Sequence, residues 1–262
     1  MEALKVSFLA IEALKPLHDL ESIKTASITL SLLGYAAPAP AMVESFMSGN
    51  TAAVPRMFLI IMTLSGALWF SFGTLAGDDL TYAAGWLGMI FGATYIALYS
   101  WTTRQIKFPL VVYAMTFASS QFYLNYLTVE QAGTLGSTFT LLFFVAPLEK
   151  LRIGLETKNP KFFNPQIALV NFLKACCWVI YAILVTNPFL FYPNIVGILV
   201  TGLTLFSYVW ANEYLPHNFP LIVIVKFLLG VKSVNKETVK ATEKNAKASG
   251  KGSKKKKMKT NQ

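Results

Sequence analysis

An internal repeat constrains this chain more than any other feature. Two apolar stretches match each other at a constant offset of 109 residues, without a gap, over more than sixty positions. Pro38 pairs with Pro147, Trp69 with Trp178, Phe72 with Tyr181, Leu75 with Leu184, Asp78 with Asn187, Gly88 with Gly197, Tyr99 with Tyr208 and Trp101 with Trp210. A duplication of this kind requires the same supersecondary unit to be built twice. The copies lie in segments long enough to cross a bilayer, so each is a set of membrane helices, and the two sets run in the same direction. Parallel repeats of this type occur in transporters, which hold their substrate near the midplane where the repeats meet.

Of 262 residues, 54% are hydrophobic and only 14% charged, far more apolar than a soluble domain requires. A membrane span takes about 20 apolar residues. Seven segments qualify: 25–47, 55–76, 80–101, 108–127, 132–156, 166–186 and 189–211. Both repeats can share one orientation only if an unduplicated helix separates them, and 108–127 fills that place. The expected fold is therefore an all-α membrane protein with seven transmembrane helices, arranged as two parallel three-helix repeats joined by a linker helix (3+1+3). The repeats occupy 25–101 and 132–211. A segment 1–24 precedes them, with Leu4, Phe8, Ile11 and Leu14 at amphipathic helical spacing. An interfacial segment 212–232 and a tail 233–262 follow.

Short loops fix the expected orientation, because Lys and Arg accumulate on the cytoplasmic side. Arg56, Arg104, Lys107, Lys150, Arg152, Lys158 and Lys161 flank one set of loops, whereas Asp78, Asp79 and Glu130 flank the other. The amino terminus is then extracellular or lumenal and the carboxyl terminus cytosolic. Twelve lysines against two glutamates in residues 226–262 account for the net charge of +10. The tail has no apolar run with which to fold. It reads as a solvated topology determinant or as an attachment to anionic lipid, and not as a nucleic-acid-binding element.

Catalytic chemistry is hard to place. His18 and His217 both lie outside the spans, Cys176 and Cys177 are adjacent and cannot bridge one another, and neither a metal-type cluster nor a phosphate loop is present. No cofactor or enzymatic activity is expected. The polar and aromatic residues within the spans carry the signal instead. Asn194 opens the seventh span, where its amide needs partners: a substrate hydroxyl or a neighbouring helix can supply them. Trp69 and Trp178 lie about 21 Å up their helices by helical rise, deeper than an interfacial belt. Two broad indole faces related by the repeat would flank a central site, and an indole packs well on the C–H face of a sugar. On this reading the loss of either Trp removes ligand contact and leaves the fold intact. Pro38, Pro55, Pro147 and Pro165 remove helical hydrogen bonds at matched places and read as hinges, although Pro55 and Pro165 also suit helix starts.

Several motifs carry a family resemblance. Ala146-Pro147-Leu148, Asn164-Pro165-Gln166, Cys177-Trp178-Val179-Ile180-Tyr181-Ala182 and Tyr192-Pro193-Asn194-Ile195-Val196-Gly197 are similar to the second repeat of SWEET sugar transporters, within the PQ-loop superfamily. Ala37-Pro38, Trp69-Phe70-Ser71-Phe72-Gly73 and Gly88 resemble the first repeat. The resemblance implies a uniporter of mono- or disaccharides working by alternating access. It implies that Trp69, Trp178 and Asn194 line the sugar pocket, that the four prolines support gating, and that Phe72 and Tyr181 contribute on the extrafacial side. Gly85 stands where the family's first repeat has an Asn, which would leave the pocket roomier and one amide short, so that Gly85→Asn would tighten sugar binding. Lys174, about 15 Å into the sixth span by helical rise, is a second departure. It either snorkels, finds an internal partner, or lines the pathway as counter-charge of a small organic anion. A non-transporting receptor or scaffold of the PQ-loop type is the remaining alternative. The expected setting is the plasma membrane or an endomembrane, with the chain acting alone or as a homo-oligomer.

Overall fold

The computed structural model describes residues 20–51, 54, 56–216 and 218–231, without the side chains of 145–147. The expected amphipathic helix 3–18, Pro55 and the tail 233–262 lie outside these residues. The described residues form helices α1 (Leu20–Ala36), α2 (Ala39–Ser48), α3 (Arg56–Ala76), α4 (Asp79–Thr103), α5 (Lys107–Tyr126), α6 (Val129–Leu142), α7 (Val145–Thr157), α8 (Pro165–Leu184), α9 (Pro188–Ala211) and α10 (Pro220–Leu228), with a 3-10 turn at Pro160–Phe162. No strand occurs among them. The segments Leu20–Ser48, α3, α4, α8 and α9 are each long and apolar enough to cross a membrane. The 20-residue α5 and the α6–α7 pair complete the seven spans.

The first and fifth spans are broken. In the first, Ala37 still donates to Leu33 O (2.9 Å), Pro38 has no N–H to give, and the helix restarts as Met42 donates to Pro38 O (3.0 Å). The fifth breaks earlier than its proline. Phe143 and Phe144 reach back only three residues, to Thr140 O and Leu141 O at 3.1 and 3.0 Å, and Pro147 is the third residue of the restarted α7. The cause is the missing N–H of Pro147, which leaves the Phe143 carbonyl, four residues back, without its helical donor. The first span also begins at Leu20, so the end of the expected 1–24 segment belongs to it.

Between the second and third spans of each repeat the turns agree nearly atom for atom. Gly77 ends α3 with φ 66°, and its counterpart Thr186 follows α8 with φ 56°. Asp78 N donates to Gly73 O at 2.9 Å and Asn187 N to Ala182 O at 2.8 Å. Each side chain then caps the next helix: Asp78 accepts from Thr81 N (3.1 Å), Asn187 from Phe189 N and Leu190 N (3.0 and 3.3 Å). The Asp/Asn pairing in the repeat is therefore a helix-start requirement.

The two hairpins differ in how closely they pack. α3 and α4 touch backbone to backbone through glycines: a Cβ on Gly66 would lie 2.6 Å from Met89 N, on Gly73 2.3 Å from Tyr82 N, and on Gly85 2.2 Å from Phe70 N. The equivalent positions in the second repeat are Ala175, Ala182 and Asn194, which carry side chains.

The described residues fall into two compact units. One holds those up to Pro147 together with Asn164–Leu205, and contains all the candidate site residues that are described. The other holds Leu148–Phe163 and the described residues from Phe206 onward. Within the second unit, Leu151, Leu155, Phe163, Trp210, Ile222 and Val225 are buried, and Lys226 Nζ lies 4.3 Å from the Trp210 ring centroid. Burial there, and then the charge of Lys158, push the Lys226 ammonium below its usual pKa. At nine residues α10 is too short to span. It exposes Leu221, Val223, Ile224, Phe227 and Leu228.

Candidate functional site

The two tryptophans sit in one cluster. Trp178 is buried with Leu80, Ala84, Tyr181, Ala182 and Leu190, and the half-buried Trp69 packs against the same group. Each indole bonds across the repeats. Trp69 Nε1 donates to Thr140 Oγ1 on α6 at 2.9 Å, and Trp178 Nε1 donates to Ser31 Oγ on α1 at 2.9 Å. Thr140 and Ser31 are themselves related by the 109-residue offset. The edge contacts repeat as well: Trp69 meets Phe72 at 5.6 Å and Trp178 meets Tyr181 at 5.7 Å, both nearly perpendicular. Gly136 provides the surface on α6 against which the Trp69 ring lies, with a Cβ there at an ordinary 3.4 Å.

One turn beyond the tryptophans, two side-chain contacts gather at the Asp78 end. Tyr181 Oη donates to Asp78 Oδ1 at 2.7 Å, joining the second repeat to the first. The repeat-related Phe72 has no hydroxyl, and it packs edge-on against Phe189 at 5.9 Å. Gly133 makes that contact feasible, since a Cβ would fall 2.5 Å from the Phe189 ring. One contact is thus a polar latch and the other an apolar one. Tyr181→Phe removes the latch bond while keeping the ring. It is expected to shift the protein toward opening at this end, read as faster labelling of a cysteine placed at Asn187 by a membrane-impermeant thiol reagent; unchanged labelling would show that the bond does not hold this end together. A hydrogen bond to a charged group contributes about 1.5–3 kcal/mol, so the expected shift is large.

Asn194 is half-buried, and its Nδ2 donates to Leu190 O on its own helix at 2.7 Å. The interhelical partner expected as the alternative to substrate is replaced by this intrahelical one. Pro193 explains the surroundings: it leaves the Phe189 carbonyl without a helical donor, and Ser137 Oγ on α6 supplies one at 2.7 Å.

Gly85 corrects the sequence reading. It faces the α3 backbone and offers no space for the missing amide, so the position belongs to helix packing and the pocket gains no room there. Pro165 is the first residue of α8, behind the N-cap Asn164, whose Oδ1 accepts from Ile167 N at 3.2 Å. It marks a helix start and breaks no helix, whereas Pro38 and Pro147 accompany real breaks. Lys174 Nζ lies 5.8 Å from the Tyr35 ring centroid, turned toward α1. Ser31, Thr140, Asp78 and Ser137 are the site residues that the motifs did not single out. For the first two, the shared offset was the available signal.

Known proteins resemble this chain in sequence and in fold. A family model described as "Sugar efflux transporter for intercellular exchange" matches twice, over residues 21–107 and 130–214. The bidirectional sugar transporter SWEET12 of Oryza sativa subsp. japonica is 26% identical over 182 residues, 65% of this chain and 61% of that protein. The sugar transporter SWEET1 of Dictyostelium discoideum is 24% identical over 161 residues, 56% of this chain and 73% of that one. A solved eukaryotic SWEET transporter superposes with a TM-score of 0.68 at 16% identity, covering 74% of this chain and 97% of its own. The similarity to the solved structure gives the seven-helix, 3+1+3 fold.

Proposed function

The chain belongs to the family of sugar efflux transporters for intercellular exchange, a family of multi-pass membrane proteins and not of enzymes, and on that footing we propose that it carries mono- or disaccharides down their gradient by alternating access. The observation that supports this reading best is the reciprocal pair Trp69–Thr140 and Trp178–Ser31, which sets two indoles from different repeats around one place in the fold. A sugar ring stacks on an indole face through its C–H groups, and Asn194, by giving up its bond to Leu190 O, can donate to a sugar hydroxyl. Opening the Asp78 end separates Tyr181 from Asp78 and Phe72 from Phe189. The breaks beside Pro38 and Pro147 are where the first and fifth spans can bend, because the helical bonds there are already missing. Pro55 is included among the hinge candidates on sequence grounds alone.

We place the Asp78 end outside or in the lumen and the Lys-rich tail in the cytosol on the charge asymmetry of the loops, the tail serving as a solvated topology determinant or as an attachment to anionic lipid. The receptor or scaffold alternative is set aside because the matching family is one of transporters.

Purified protein in liposomes tests the proposal, using radiolabelled glucose, fructose and sucrose with and without a proton gradient. Saturable downhill flux of at least one sugar, equal in both conditions, is expected. Flux that requires the gradient overturns uniport, and no flux of any sugar overturns the reading itself.

A further inference from the structure

Lys174 is the tenth residue of α8, one turn before Trp178 and one turn after Asn171. All three side chains belong to the surface of α8 that packs on α1. Trp178 reaches Ser31, and the space above Gly34 is bounded by Lys174 Nζ and Asn171 Oδ1, each 3.5 Å from where a Cβ would stand. The ammonium is turned toward α1 and the Tyr35 ring. Among the described residues it pairs with no carboxylate. The ion pairs there, Lys24–Glu21, Arg152–Glu149, Arg152–Glu156 and Lys158–Glu213, lie elsewhere. A cation inside a span ordinarily faces a counter-charge or a wet pathway, and an aromatic face compensates it only in part.

Resting on the transport reading above, we infer that the carried sugar bears a carboxylate, as a hexuronate does, and that Lys174 is the residue that selects for it. The ring lies on Trp178 and the carboxylate points one turn down α8, about 5.4 Å away by helical pitch, toward the Lys174 ammonium. Asn171, whose Oδ1 borders the space above Gly34, donates once its amide turns over to present Nδ2, and that space takes a methyl-sized group without moving a neighbour. One ammonium matches one carboxylate. A phosphate would leave a second negative charge uncompensated in a low-dielectric site, so a sugar phosphate fits less well.

The test uses full-length protein in liposomes, with radiolabelled glucose and glucuronate. In the wild type, glucuronate is expected to enter saturably and to compete with glucose uptake at concentrations about tenfold below those at which unlabelled glucose does. Lys174→Met should lower the ratio of glucuronate to glucose uptake at least about tenfold, and Lys174→Arg should preserve it. A wild type that moves glucose but is not inhibited by glucuronate overturns the inference and leaves the transport reading standing; so does a ratio unchanged in Lys174→Met. Glucuronate flux without glucose flux supports the inference and narrows the substrate class. If neither compound moves, the inference fails, and the transport reading fails with it only where fructose and sucrose do not move either. Should Lys174→Met not yield folded protein, competition in the wild type decides alone.

Discussion

Gly85→Asn is expected to eliminate folded protein and not to improve sugar binding. The first added atom, Cβ, would stand 2.2 Å from Phe70 N, 2.6 Å from Phe70 Cα and 2.8 Å from Gly66 O. All three are backbone atoms of α3, so no side chain can rotate away. Overpacking a core typically costs about 1–3 kcal/mol, and here relief demands that two helices separate along a seam that Gly66 and Gly73 also depend on. Gly85→Ala should therefore fail nearly as badly as Gly85→Asn. Gly136→Ala serves as the contrast, since its Cβ would rest at van der Waals distance from Trp69. Yield and monodispersity in detergent check the series. A monodisperse Gly85→Asn with tightened sugar binding would return position 85 to the pocket.

Trp178→Ala is expected to abolish transport and to destabilise the protein together. The side chain is only 7% exposed, and truncating a buried Trp typically costs about 3–5 kcal/mol. The sequence reading assigned Trp178 to ligand contact alone; burial and the bond to Ser31 give it a share in holding the repeats to each other. Trp178→Phe separates the roles. It keeps an aromatic face but leaves Ser31 Oγ buried without its donor, a loss of about 1–3 kcal/mol. Ser31→Ala in that background should restore part of the loss. Thermal unfolding in detergent reads the cycle, and additive effects of the two substitutions would show that the bond contributes nothing. Trp69→Ala should lose transport as well with a smaller stability change, because Trp69 is only half-buried.

The repeat carried the fold at the level of single turns. Once Asp78 is matched to Asn187, the capped helix starts and the left-handed residues 77 and 186 follow from the same local chemistry. The Trp pair was legible because a large side chain recurring deep in a span has few structural uses. Its acceptors were not singled out, since Ser31 and Thr140 are small hydroxyl residues in apolar helices with no periodic signature of their own. Asn194 pointed to a polar contact, but a single sequence cannot distinguish a substrate from the carbonyl one turn back on the same helix. Gly85 misled because its lack of a side chain reads equally as empty space and as another helix in that space. Only the distance to Phe70 decides between them. The break at Phe143 was displaced from Pro147 because a proline acts on the carbonyl four residues earlier.

The reciprocity of the indole bonds also bears on descent. In a symmetric dimer every contact between residue i of one copy and residue j of the other is accompanied by its reverse, and Trp69 to Thr140 with Trp178 to Ser31 has that form. A precursor of two separate, identical three-helix chains would have made both bonds from one Trp and one hydroxyl. Joining the copies through α5 then freed each to change alone. The Tyr181–Asp78 latch opposite the Phe72–Phe189 contact, and the glycine seam of α3–α4 opposite Asn194, are differences that an obligate homodimer could not have acquired on one side only.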